Sequence, residues 1–274
     1  MDQKRPDDEV LRRLCESAIG GDSAALEELV VSIRNDVYRL ALRMVWDEAE
    51  AEDATQEILT KIVTKLESFA GRSAFRTWYF RVATNHLLDR RRTPFEALTF
   101  SALGDDLLDG LADPSPHYQP ELEVLATEVM RNCTRAMLQC LDRNARVAYL
   151  LGDVLDLPGP TAAAVLQIDV VRFRQRLARA RSKVRGFMTA HCGLVNDEAT
   201  CRCERRVDRA VELGRIRPSP DPSGGPIEKA MADIDKMQRI TALMRSTVDE
   251  VAPGDLGATL RMAIENSPSI SQSP

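Results

Sequence analysis

The stretch Ser73-Ala74-Phe75-Arg76-Thr77-Trp78-Tyr79-Phe80-Arg81-Val82-Ala83-Thr84-Asn85-His86-Leu87-Leu88-Asp89-Arg90-Arg91-Arg92 decides how the chain folds. Phe75, Trp78, Tyr79 and Val82 recur at steps of three and four, the period of one helix face, and Ser73 stands where an N-cap would. Thr93-Pro94 ends the run, because a residue before proline avoids helical backbone angles. Rings interleaved with Arg76, Arg81 and a terminal triple arginine form a surface able to stack on unpaired bases and hold phosphates. The same spacing serves equally for rings buried in a core, so both uses stay open on spacing alone.

Helical periodicity continues on both sides. Upstream, Leu26, Leu29, Val30, Ile33, Val37, Leu40, Ala41 and Met44 predict a long helix after Asp22 or Ser23, and residues 50–68 carry Ile58, Ile62 and Leu66 on one stripe. Downstream, residues 99–120 hold Asp105, Asp106, Asp109 and Asp113, then Pro114, Pro116 and Pro120, with weak periodicity, and read as a linker. Leu122, Leu125, Val129, Met137 and Leu141 restart the helical pattern, and shorter helices are expected around 143–153 and 160–166. Asp169 is placed to cap a strongly basic helix running to about Met188. Helix, turn, helix is the plan of a module whose second helix enters the major groove. Val171, Arg172, Gln175 and Arg176 lie at that helix's start, with Arg174, Arg179 and Arg181 placed for phosphates. Pro218 to Pro226 form a second linker, beyond which Ile227, Met231, Ile234, Met244 and Val248 predict another amphipathic helix, with a short one at 256–265. No period-2 strand, internal repeat or Gly-rich phosphate loop interrupts the pattern, so the fold class is all-α.

At 274 residues, with 44% hydrophobic and 29% charged residues, the chain has room for one or two cored domains and is not disordered or fibrous. Its polar start and lack of an ~18-residue apolar run predict a cytoplasmic protein with no membrane partner. A net charge of −5 hides a sharp contrast: residues 1–60 carry fifteen acidic against seven basic side chains, whereas 71–94 sum to +5 and 169–186 to +6. Two short basic blocks in an acidic chain suit two separate contacts with a polyanion, although a charge run alone also fits a solvated helix face. No nucleophile-base pair, apolar carboxylate pair or cofactor fingerprint is present, so no enzyme is expected.

Asp53-Ala54-Thr55-Gln56-Glu57-Ile58, then Phe69-Ala70-Gly71-Arg72-Ser73-Ala74-Phe75-Arg76-Thr77-Trp78 and Val82-Ala83-Thr84-Asn85 with Asp89-Arg90-Arg91-Arg92, closely resembles conserved region 2 of bacterial extracytoplasmic-function (ECF) RNA polymerase sigma factors. Leu157-Pro158, Ala164-Val165-Leu166-Gln167-Ile168 and Phe173-Arg174-Gln175-Arg176-Leu177-Ala178-Arg179-Ala180-Arg181 look like region 4 of that family. The resemblance covers about residues 10–190 in the right order. It implies region 2 at 10–95, an acidic linker at 96–120 and a region 4 helix-turn-helix at 121–190, followed by a Cys-containing extension at 191–217, a Pro/Gly linker at 218–226 and a regulatory helical tail at 227–274. It implies a protein that brings core RNA polymerase to promoters. Asp53, Gln56, Glu57 and Lys61 would dock on the β′ clamp, and the polymerase β flap would be a further contact. Arg72, Phe75, Arg76, Trp78, Tyr79, Arg81, Asn85, Arg90, Arg91 and Arg92 would capture the melted minus-ten element. Val171, Arg172, Arg174, Gln175, Arg176 and Arg179 would read the minus-thirty-five element as duplex, and the linker's carboxylates would mimic nucleic acid inside the polymerase. The chain departs from the family at Gln167, where a small residue, often Gly, is usual, and at Leu157-Pro158-Gly159-Pro160, which replaces an acidic helix start.

His191, Cys192, Cys201 and Cys203 gather four soft ligands in a short span, making zinc the one candidate cofactor of a protein that otherwise requires none. Redox-active thiols and ordinary buried cysteines are the alternatives, since adjacent His191 and Cys192 point apart. Cys133 and Cys140, seven apart on one helix, are expected in the core. The tail's apolar stripe must be covered, and some ECF sigma factors carry C-terminal extensions that regulate them in cis, so the tail itself or a separate anti-sigma factor is the expected regulatory partner. Two rival functions remain. A metal- or thiol-sensing helix-turn-helix repressor leaves residues 50–92 unexplained, and a helical interaction protein without DNA binding leaves both basic blocks unexplained.

Overall fold

The structure, a computed structural model, describes residues 7–91, 94–111, 120–216 and 236–246. Among these residues the secondary structure is helical apart from an isolated bridge between Cys192 and Cys201. None of the helices is long and apolar enough to cross a membrane. The described residues fall into two compact units.

The first unit contains residues up to Arg91 together with Leu157–Phe173. It begins with α1 (Asp8–Ile19) and α2 (Ser23–Val45), the latter started by Asp22, whose carboxylate accepts from Ala24 N and Ala25 N. All eight apolar positions read along α2, from Leu26 to Met44, are buried, at a gain of about 1.5–3 kcal/mol for each of the larger ones. Asp47 caps α3 (Glu48–Thr64) through Glu50 N, and Ile58, Leu59, Ile62 and Val63 bury against α2 and α4 (Phe75–Asp89). Ser73 does not cap α4: its hydroxyl donates to Ala74 O. The orphan donors Phe75 N and Arg76 N are taken instead by the two carboxylate oxygens of Asp8, at 3.2 and 3.0 Å, which ties the start of α1 to the start of α4. Short α8 (Gly159–Val165) packs on α4 in the same unit, burying Ala162, Ala163 and Val165. The turn after it sets Gln167 at φ +53, the left-handed angle that favours the usual glycine, and Asp169 caps the next helix through Arg172 N as the sequence predicts.

The second unit holds the other described residues up to Asp156 and from Arg174 onward. The reading of 99–120 as linker throughout is corrected, since Thr99 accepts from Ala102 N and starts α5 (Phe100–Leu108). Leu103, Gly104 and Leu107, spaced one and three apart on one helix face, turn inward, while Leu108 stays exposed. Next come α6 (Pro120–Gln139), α7 (Arg143–Tyr149) capped by Asp142, and a π-helical turn at Leu150–Val154 that occupies the rest of the expected 143–153 helix. Helix α9 (Val170–His191) extends three residues past the expected end and buries Phe173, Leu177, Ala180, Val184 and Phe187 along one stripe. After it come α10 (Val207–Glu212) and α11 (Lys236–Ser246). Val207, Ala210 and Ile216 form a small core with Ala126 and Val129 of α6. The Pro218 to Pro226 linker, Ile227, Met231, Ile234, Val248 and the expected helix at 256–265 lie outside the described residues.

Candidate polymerase and nucleic-acid interface

Helix α3 turns Asp53, Gln56, Glu57 and Lys61 to solvent, because the residues between them, Ala54, Thr55, Ile58 and Leu59, fill the core side. Two of the four are tied across to α4. Lys61 Nζ lies 2.6 Å from His86 Nδ1, and Glu57 stands 3.0 Å from His86 Nε2 and 3.4 Å from Arg90.

On α4 the aromatic residues separate. Phe75 and Tyr79 are fully buried, so the expectation that both rings stack on bases is corrected: Phe75 packs edge-on against Phe69, and the Tyr79 hydroxyl donates to buried Asp36 at 2.9 Å. Trp78 is half-buried beside Phe69 and Phe75 and keeps an open side. Arg72, Asn85 and Arg91 are exposed, and Arg76 is partly exposed. Arg81 is engaged, donating through Nε and a terminal nitrogen to Ala164 O at 3.2 and 3.0 Å. Arg92 lies outside the described residues.

The first turns of α9 present Val171, Arg172, Arg174, Gln175 and Arg179 to solvent. Arg176 is half-buried and donates to Asn144 Oδ1 at 3.3 Å. Arg181, read with the phosphate-facing group, is instead held by the Asp153 carboxylate at 2.5 to 3.1 Å.

Three features of the second unit escaped the sequence. Arg146, 1% exposed, donates to the carbonyls of Leu138, Gln139 and Leu141 where α6 ends, and burial pushes its pKa down to about 10, still fully charged at neutral pH. Asp106 of α5 receives a two-pronged pairing from Arg215 at 2.7 and 2.8 Å and a third contact from Arg206, while Arg209 pairs with Asp109 at 2.7 Å. These guanidiniums, Arg215 first, hold the Asp106 carboxyl below the usual carboxylate range. Two of the linker's acidic side chains are thus matched within the chain, a correction to the expectation that they are all free to imitate nucleic acid. The third feature is the seat of α11: Ile240, Leu243 and Met244 are buried, the helix packs on Leu150–Val154, and Arg245 bonds Asp153 O and Asp156 at 2.6 Å each.

The four proposed metal ligands do not converge. The His191 ring packs on Phe187 at 4.7 Å, Cys203 packs with Leu122 and Leu125 against the α6 core, and Cys192 meets Cys201 through a backbone bridge near half-buried Cys133. Burial raises the thiols of Cys133, Cys192 and Cys201, the last to about 11, so these three are protonated at neutral pH. Among the described residues no group of three or more His, Cys, Asp or Glu is placed to hold a metal ion, and His191, Cys192, Cys201 and Cys203 do not gather as one set.

The Sigma-70 region 2 family model matches residues 29–93, which span α3 and α4. The RNA polymerase sigma-H factor of Pseudomonas aeruginosa is 30% identical over 177 residues, covering 63% of this chain and 91% of that protein. The ECF RNA polymerase sigma factor SigM of Bacillus subtilis is 30% identical over 176 residues, covering 63% of this chain and 99% of SigM. The chain belongs to the ECF sigma factors. As a member it directs core RNA polymerase to promoters and takes part in transcription initiation. The solved structure of CnrH in complex with the cytosolic domain of CnrY aligns with 65% of this sigma factor and 97% of that chain, at 23% identity and a TM-score of 0.48.

Proposed function

We propose that three polar faces, on α3, α4 and the start of α9, divide the work of this sigma factor. The α3 face, Asp53, Gln56, Glu57 and Lys61, docks on the polymerase β′ clamp. Arg72, Arg76, Trp78, Asn85, Arg90 and Arg91 hold the melted minus-ten strand, with Trp78 as the stacking ring, and Arg81 joins them once it leaves Ala164. The exposed start of α9 reads the minus-thirty-five duplex through Arg172, Gln175 and Arg176, with Val171, Arg174 and Arg179 alongside, and region 4 also meets the β flap. The observation that carries this reading is the sorting of side chains: on α3 Asp53, Gln56, Glu57 and Lys61 are exposed while Ala54, Ile58 and Leu59 are buried, and on α9 Arg172, Arg174, Gln175 and Arg179 are exposed while Phe173, Leu177 and Ala180 are buried.

The tail regulates this activity in cis. The seat of α11 on Leu150–Val154 supports that role, and a tethered helix needs little intrinsic affinity because its effective concentration is about millimolar. An anti-sigma factor is the alternative regulator of the same activity, and the protein works in the cytoplasm with its polymerase. Co-purification with core polymerase and run-off transcription from a cognate promoter test the reading, using the full chain and a truncation after Arg217. Failure to bind core under any condition overturns the docking role, and equal transcription by both chains overturns regulation by the tail.

A further inference from the structure

His86 lies in no exposed face and belongs to neither set of contacts, yet it joins them. Its side chain is 6% exposed between α3 and α4, with Lys61 Nζ at 2.6 Å from Nδ1. An ammonium can only donate, so Nδ1 must accept and the ring proton must sit on Nε2. That nitrogen approaches Glu57 at 3.0 Å, off the axis of a full hydrogen bond, and Glu57 reaches Arg90 at 3.4 Å. A single neutral imidazole therefore links a lysine and a glutamate of α3 to the first arginine of the α4 basic block.

We propose that His86 is a positioning residue for polymerase docking, its neutral ring fixing Lys61 and Glu57 in the arrangement that meets the clamp and coupling both to Arg90. The proposal rests on the reading of Glu57 and Lys61 as polymerase contacts. Titration supports it. Burial lowers the pKa of His86 first, and Lys61 and Arg90 lower it further against the opposing pull of Glu57 and Asp89, so the ring is neutral at pH 7. A proton on Nδ1 would set two cations face to face, and Lys61 would have to leave. With the folded pKa below 6.5, the neutral arrangement is complete above that value and is lost as pH falls beneath it.

The test is the affinity of the full chain for core polymerase between pH 5.5 and 8. His86→Leu should weaken it about tenfold at pH 7, the cost of one misplaced charge-assisted contact. His86→Gln, whose amide supplies one acceptor and one donor, should stay within about twofold of the native protein. Native affinity should hold at about pH 6.5 and above and decline at lower pH while that of His86→Gln stays flat, and adding His86→Leu to Lys61→Met should cost less than the two single losses combined. A residue that only fills space would give none of these results, and if His86→Leu unfolds, the flat profile of His86→Gln still decides. Native binding by His86→Leu alongside weakened binding by Lys61→Met overturns the role of His86 and leaves the interface standing. A pH profile unchanged by His86→Gln does the same. Native binding by both Lys61→Met and Glu57→Gln overturns the interface itself, and the proposal with it.

Discussion

Replacing Arg146 by leucine should unfold the second unit more readily by about 3 kcal/mol, despite the gain from removing a buried charge. The guanidinium donates at 2.8, 3.1 and 3.1 Å to three carbonyls at the end of α6, where a helix leaves its acceptors without partners. Leucine roughly fills the volume and leaves all three bare, at about 1–3 kcal/mol for each one kept from water. Relief of the arginine's desolvation offsets part of that sum, which brings the net cost to roughly 3 kcal/mol. With a slope of about 2 kcal/mol per molar urea, the midpoint should fall by roughly 1.5 M. Far-UV circular dichroism in urea at pH 7 measures the shift, and a transition belonging to the first unit should not move. Arg146→Lys keeps the charge but not the planar fork, and should lose about half as much. A midpoint for Arg146→Leu within about 0.3 M of the native value would refute the reasoning, because the three bonds would then contribute no net stability.

Tyr79→Phe should cost about 1–3 kcal/mol in the same assay by stripping a donor from buried Asp36, while DNA capture per folded molecule stays unchanged. Trp78→Ala should instead weaken binding to single-stranded minus-ten DNA by about 1–3 kcal/mol, measured by fluorescence anisotropy with holoenzyme. Asp106→Asn should loosen the α5 pairing and speed proteolysis near α5. In the native chain the same loosening should set in as pH falls below 3.8, because the lowered carboxyl stabilises the fold above that value and loses the effect on protonation. Arg172→Ala or Arg176→Ala should relax preference at one upstream position by about 1–3 kcal/mol, whereas Arg91→Ala should weaken all promoters evenly and flatten the salt dependence, as measured across promoter variants.

The helices were legible wherever one apolar stripe met a local cap. Asp22 and Asp169 start helices as their sequence positions predict, and the stripe from Leu26 to Met44 is buried throughout. Legibility fails where the partner is distant. Ser73 looks like a cap, but Asp8, more than sixty residues earlier, does the capping, and no local pattern reveals it. The acidic segment reads as linker because aspartates ordinarily favour water; they fold into α5 because arginines a hundred residues later neutralise them. Ring spacing on α4 could not say which aromatic faces out, since Phe75, Trp78 and Tyr79 occupy adjacent parts of one stripe and only the position of α2 decides among them. Four soft ligands in thirteen residues suggested a metal, yet a chain that turns at Gly193 and again after Cys201 sends them to different neighbours.

The pairing of Asp106 and Asp109 with Arg206, Arg209 and Arg215 also bears on how such proteins are taken apart and recombined. The segment that carries α5 and the segment from Arg206 to Arg215 are two halves of one lock, each holding the counter-charges of the other. A hybrid that borrows residues 94–190 without the C-terminal extension inherits two carboxylates with their counter-charges gone, and one that grafts the extension onto a foreign linker inherits three guanidiniums with nothing to bind. Lineages that gained or shed this extension would be expected to show paired changes at α5, which makes those aspartates the place to look for its history.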